Sequence, residues 1–313
     1  MNAQAYDEYL KGLYLRANDR SIELQAALEH FKRAVDLDPD FIQGFSALAT
    51  THLRLALRSS SAGHWQQAST AAHQAIERDS DLAEAHLAKG LVELYREWDF
   101  AAAEASLRRA LELAPGWGDS HSALASYLAT LGHYDEAIPR AKLARRLDPA
   151  KFSLSSDLCW YLIHASRFAD AELECSRALE LEPEHALSLL GQAEAARRLG
   201  NFQLALESTA RALRTSIPAQ DASSSITPAS RLDRLWQEAS AAESTPIHST
   251  SPYFAAVAAA LAGHEEKAIA LLTRARDRRY PALLHFRTDP RLESIKSHPE
   301  YAQLVESIGF PDP

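Results

Sequence analysis

Seven pairs of alanines, each pair spaced seven residues apart, recur along the chain: Ala27/Ala34, Ala68/Ala75, Ala103/Ala110, Ala137/Ala144, Ala171/Ala178, Ala205/Ala212 and Ala268/Ala275. From Ala110 through Ala144 and Ala178 to Ala212 the step is 34 residues each time. Seven residues make about two helical turns, so both alanines of a pair share one face. A methyl group there lets a second helix approach closely, where a leucine would overpack the seam. A period of this length describes a stack of helical hairpins, each touching only its neighbours, and such stacks serve as binding surfaces rather than as enzymes.

Punctuation agrees with the period. An aromatic stands three residues before the first alanine at Trp65, Phe100, Tyr134, Phe168 and Phe202. Prolines 39, 115, 149 and 183 each follow the second alanine by five residues. Proline lacks a backbone donor and restricts the residue before it, so helices end there. Gly132, Gly200 and Gly263 mark the turn inside the hairpin at one phase, where a left-handed residue closes a helix.

The unit SHSALASYLATLGHYDEAIPRAKLARRLDP, Ser120–Pro149, resembles a tetratricopeptide repeat (TPR) almost position by position. It carries the small residue Ala125, the turn glycine Gly132, Tyr134, the Ala137/Ala144 pair and the closing proline. The match is best over residues 83–213. The usual aromatic near the start of the first helix (helix A) appears only as Phe45, and is His86, His121, Ser155 and Leu189 elsewhere. The resemblance implies an all-α right-handed TPR superhelix of antiparallel helix pairs. It also implies a protein or peptide partner in the concave groove, with no catalysis and no cofactor.

A second resemblance rests on Ala5–Asp19, Ala27–Ala49, Arg96–Trp117 and Ser251–Phe310. These segments look like the C-terminal TPR region of bacterial winged-helix regulators of the cadaverine-operon-activator type, and of TPR-tailed kinases and adenylate cyclases. This implies the sensory or scaffolding part of a signalling or transcription-regulatory system. Two other functions remain open: the effector half of a regulator whose DNA-binding domain lies elsewhere, and a small-ligand sensor.

Composition narrows the partner classes. The net charge is −9, from 33 basic and 42 acidic side chains. Duplex DNA selects the opposite balance or a concentrated basic stripe, so no direct nucleic-acid binding is expected. The arginine pairs 108–109, 145–146, 197–198 and 278–279 fall at or near expected helix ends, where they complement the helix dipole. Residues 1–10 are polar and acidic, unlike a secretory leader. The apolar run over 253–263 is too short for a bilayer. A soluble, cytoplasmic protein is expected, with no membrane contact. Two cysteines, Cys159 and Cys175, are too few for a disulfide framework; they read first as small buried apolar residues, and second as a redox pair.

Along the chain, residues 1–218 are expected to form an array of about six repeats. Extra residues sit near Asn18–Ser21, and an insertion covers Ala56–Gly63 as a loop or a helix extension. Repeat three has Glu97-Trp98-Asp99 at its inner turn in place of glycine. Residues 219–251 read as a linker with one helix, 228–244, whose Leu232, Leu235, Trp236 and Ala239 form an apolar stripe. Ser/Ala/Pro-rich loops are expected at 217–227 and 245–251. Residues 252–313 read as a seventh hairpin and a C-terminal cap. Asp289-Pro290 and His298-Pro299 mark helix starts, and Phe286, Leu292, Ile295, Tyr301, Leu304 and Phe310 are the docking residues.

Catalytic patterns are missing: glycine is scarce (11) and isolated, and no HExxH, CxxC or EF-hand spacing occurs. His86 and His121 share a phase, which reads as packing ahead of a metal pair. The helix-A face supplies the candidate site. Its phase gives Gln43, Ser46, Thr50 and Leu53 in repeat two, and Glu84, Leu87, Leu91 and Leu94 in repeat three. Asp119, Ser122, Ser126 and Ala129 follow, then Ser153, Ser156, Trp160 and Ile163, then Leu187, Leu190, Glu194 and Arg197. The groove predicted from these is Leu87, Leu91, Leu94, Ser122, Ser126, Trp160, Ile163, Leu190, Glu194 and Arg197. An apolar surface rimmed by polar groups suits a peptide or helix, unless the 229–242 helix or the tail fills it. Chaperone-type TPR domains hold a terminal carboxylate with Lys and Asn on this face; Thr50, Leu91, Ser126, Trp160 and Glu194 stand at those phases, which speaks against that ligand.

Overall fold

The structure, a computed structural model, describes residues 2–17, 21–59, 61–214, 227–241 and 252–311. Every regular element among them is helical. Two compact units divide the chain, Met1–Tyr127 and Leu128–Pro313.

In the first unit the hairpins are α1 (Ala3–Ala17) with α2 (Ser21–Leu37), α3 (Ile42–Ser59) with α4 (Ala62–Arg78), and α5 (Ala83–Val92) with α6 (Phe100–Leu113). Helix α7 (Gly118–Thr130) follows and contains the boundary between the two units. Each pair is tightly packed, and α3 also lies beside α5, the helix A of the next repeat. The paired alanines explain the close approach: Ala27, Ala34, Ala68, Ala75, Ala103 and Ala110 are all buried. Burial of these methyls and of Phe31, Trp65 and Leu107 supplies the apolar stabilisation, about 25 cal/mol per Å² removed from water. The insertion expected over Ala56–Gly63 is a helix extension, since α3 runs to Ser59 and α4 opens at Ala62; Ser60 lies outside the described residues, as do 18–20.

The turn of repeat three departs from its neighbours. α5 passes into one π-helical turn, Glu93–Glu97, and Trp98 then takes the left-handed conformation (φ 61°) that Gly132 (φ 83°), Gly200 (φ 81°) and Gly263 (φ 78°) adopt in theirs. Asp99 accepts a hydrogen bond from the Ala102 amide (3.0 Å) and opens α6. A side-chain oxygen at that position satisfies an otherwise orphaned N–H.

In the second unit the helices are α8 (Tyr134–Leu147), α9 (Phe152–His164), α10 (Phe168–Leu181), α11 (Ala186–Arg198) and α12 (Phe202–Leu213). Helix α13 (Pro228–Ala241) packs on α12 and on α14 (Pro252–Leu261), which pairs with α15 (Glu265–Asp277). Leu232, Leu235 and Trp236 of α13 are buried in one cluster with Leu189, Leu206 and Ala258, so this helix is a structural layer rather than a bare linker element. The Ala239 side chain and the loops expected at 217–227 and 245–251 lie outside the described residues, apart from Thr227. Beyond α15 come two 3₁₀ segments, Pro281–Thr288 and Pro290–Ile295, and α16 (Pro299–Ile308). Proline opens each, at Pro290 and Pro299 as expected and also at Pro281, with Asp289 and His298 capping the last two. Phe286, Leu292, Ile295, Tyr301 and Leu304 are buried as cap residues, and Phe310 is half-buried.

Cys159 and Cys175 correct the first sequence expectation. They are joined in a buried disulfide between α9 and α10, because the antiparallel hairpin sets their Cα atoms 5.3 Å apart, within the bridging range.

Candidate partner-binding face

In the first unit the helix-A residues converge on one face. Arg16 on α1 donates from Nη1 to Thr50 Oγ1 on α3 (2.8 Å). Ser46 Oγ donates to Glu84 Oε2 on α5 (3.0 Å). Tyr95, in the π-turn, shares a hydrogen bond with Ser126 on α7. Arg16 also lies over the Phe31 ring, 5.6 Å from its centroid. Burial pushes the Arg16 pKa down, while the charges of Glu84 and Asp119 pull the other way. The outcome is a half-buried cation in the field of carboxylates from two later repeats.

Of the predicted groove residues here, Leu91, Ser122 and Ser126 are half-buried and reachable. Leu87 is buried and Leu94 has no exposure. Leu94 belongs to the π-turn, which winds it into the hairpin core. Arg16 lies 34 residues before Thr50, but the extra residues of the first two repeats break the 34-residue register there, so periodicity alone does not pair them. The π-turn hid Tyr95 from a reading based on 3.6-residue spacing.

In the second unit the same phase is covered. The Arg291 guanidinium lies over the Trp160 ring at 4.3 Å from its centroid, with Phe254 also in range at 5.7 Å. Arg291 donates from Nε to Asp289 Oδ1 (2.9 Å) and from Nη2 to Oδ2 (2.6 Å), and Tyr253 donates to Oδ2 (2.5 Å). Burial alone would raise the Asp289 pKa, but Arg291's charge and hydrogen bonds hold it well below the usual carboxylate range. Thr288 bonds both Tyr134 (2.6 Å) and His164 (3.2 Å), and Arg287 reaches the Leu131 carbonyl (2.8 Å). Trp160, predicted as a groove residue, is therefore a packing partner of the C-terminal segment. Ile163 (0% exposed), Leu190 and Glu194 are buried. Ile163 points at the Gly191 seam, and Glu194 accepts two hydrogen bonds from Arg197, each 2.9 Å. Arg197 is half-buried. Nothing local in the sequence announces this cover, because Arg291 and Trp160 are far apart along the chain.

His86 and His121 have the same role at the same phase: each bonds a backbone carbonyl six residues earlier, Ser80 O (2.8 Å) and Pro115 O (2.9 Å). Among the described residues no cluster of three or more His, Cys, Asp or Glu could hold a metal, and no helix is long and apolar enough to cross a membrane.

Repeated helix pairs with a shared helix-A face define a helical-repeat scaffold. A tetratricopeptide-repeat family model matches residues 53–117 and 156–222. The fold is likewise similar to solved TPR structures. PilW, a widely conserved type IV pilus biogenesis factor, aligns at 19% identity and a TM-score of 0.52, covering 66% of this chain and 91% of that one. A thermophilic TPR protein in Thermus thermophilus aligns at 22% identity and a TM-score of 0.50, covering 62% of this chain and 98% of that one. No curated protein matches the sequence. The chain is thus all-α, a TPR solenoid, and that fold is a scaffold for protein–protein interaction.

Proposed function

We propose that this chain is the sensory or scaffolding module of a bacterial regulatory system in the cytoplasm. It captures a peptide or helical segment of a partner protein on the helix-A face of the first unit. The observation that carries the reading is the Arg16–Thr50 pair in the field of Glu84, with Leu91 and Ser122 half-buried at the helix-A phase of the next repeats. Leu91 offers an apolar anchor, Arg16 takes an acidic group of the ligand, and the small side chain of Ser122 leaves room. The regulatory assignment draws on the resemblance of Ala5–Asp19, Ala27–Ala49, Arg96–Trp117 and Ser251–Phe310 to sensor regions of bacterial regulators.

A test begins with peptide-library panning on the full chain. Enriched peptides are then titrated against Leu91→Glu, Arg16→Glu and, as a control on the exposed side of α10, Leu173→Glu. The first two variants are expected to weaken binding at least about tenfold, the scale of a lost interface anchor, with an unchanged melting temperature. The control is expected to bind as the native chain does. Equal binding by Leu91→Glu and Arg16→Glu would move the site off this face.

A further inference from the structure

The disulfide lies beneath the seam between two successive helix-A elements. Cys159 stands on α9 and Cys175 on α10, and neither is exposed. The next helix, α11, meets the bridge with Gly191. A Cβ at Gly191 would lie 2.6 Å from Cys175 Sγ and 2.8 Å from Cys159 Sγ. The two sulfur atoms therefore occupy the volume that a side chain of α11 would need. The backbone of repeat six rests directly on the bridge of repeat five.

Bonded sulfurs sit about 2.0 Å apart, whereas unbonded heavy atoms need roughly 3.5 Å or more. Two thiols consequently do not fit where the bridge fits. Opening it must separate α9 from α10, push α11 away, or both. Trp160 follows Cys159, and Leu190 precedes Gly191, so the helices that shift are those that bear the second unit's helix-A residues.

We propose that Cys159–Cys175 is a reversible redox clamp that sets the packing of α9 and α10 against α11. Reduction is a two-electron exchange with a small-molecule thiol such as glutathione. A glutathione thiolate attacks one sulfur, forms a mixed disulfide and expels the other cysteine as a thiolate, which takes a proton. A second glutathione thiolate attacks the glutathione sulfur, releases the first cysteine, which is also protonated, and leaves as oxidised glutathione. Oxidation runs the same steps backwards. With both sulfurs buried, attack requires a local opening of repeat five, and the exchange reports the mobility of that hairpin.

The full chain is equilibrated with oxidised or reduced glutathione, and one portion is acid-quenched for alkylation and peptide mapping. The other is followed by hydrogen exchange. The expected oxidised sample yields peptides linked through Cys159 and Cys175. The reduced sample yields both cysteines alkylated, with amide exchange in 152–164 and 186–198 at least about tenfold faster and exchange in 21–37 unchanged. A Cys159→Ala/Cys175→Ala variant is expected to lose the response to glutathione. Free thiols in the oxidised sample, unchanged exchange on reduction, or a response that persists in the double variant would each overturn the proposal. Should the double variant not fold, the native chain's two arms decide alone.

Discussion

His52 and His64 face each other in the first unit with their Nδ1 atoms 3.0 Å apart. One nitrogen must donate and the other accept, so both rings cannot be protonated. Burial, and then the charge of His64, lower the His52 pKa to about 4. The unfolded chain holds the ordinary value near 6.5 and binds a proton first. The pair's contribution is therefore complete above about 6.5 and is lost as pH falls from there towards about 4. Denaturant midpoints measured from pH 7 to 4.5 are expected to fall, with a shallower decline for His52→Gln; parallel slopes would sink the assignment. The alanine pairs are legible in the sequence because their role depends only on a neighbour at a fixed distance along the chain. Trp160 is the converse case. Its phase is that of helix A, but its partner Arg291 comes from the far end of the chain, and periodicity carries no information about such closures.

Helix ends are equally readable. Proline stops and left-handed glycines act within a few residues of themselves, and Gly132, Gly200 and Gly263 adopt the positive φ their spacing implies. The C-terminal 3₁₀ segments are visible as proline-marked starts, yet their docking is visible only as a set of apolar residues. What orients them is polar. Asp289 is wholly buried, and Arg291 has 5% exposure. A buried pair of this kind says little for net stability when intact, but loss of one partner leaves a bare charge in a dry site. Asp289→Asn is expected to cost about 3–5 kcal/mol in chemical unfolding, and Asp289→Asn/Arg291→Met to recover part of that loss. A single variant as stable as the native chain would show that the segment docks through its apolar residues alone.

At the scale of the molecule, charge and phase are the two properties the sequence states outright. An excess of nine acidic over basic side chains disfavours approach to a polyanion. In roughly 0.15 M salt the full chain is expected to give no saturable mobility shift of duplex DNA; a salt-sensitive shift at micromolar protein would contradict this. Phase is kept from Ala110 to Ala212, and the step just before that run is one residue longer. Ala75 to Ala110 spans 35 residues, whereas Ala110 to Ala144 spans 34. The surplus residue is absorbed where α5 widens into its single π-turn, with the Trp98 amide bonding back to Glu93 O. A helix that takes in one residue by swelling a single turn need not rotate everything after it. Ala103 and Ala110 still enter their seam, and the repeats downstream keep count. The array thus contains its own expansion joint, by which a one-residue length change in a gene becomes a local bulge instead of a scrambled core.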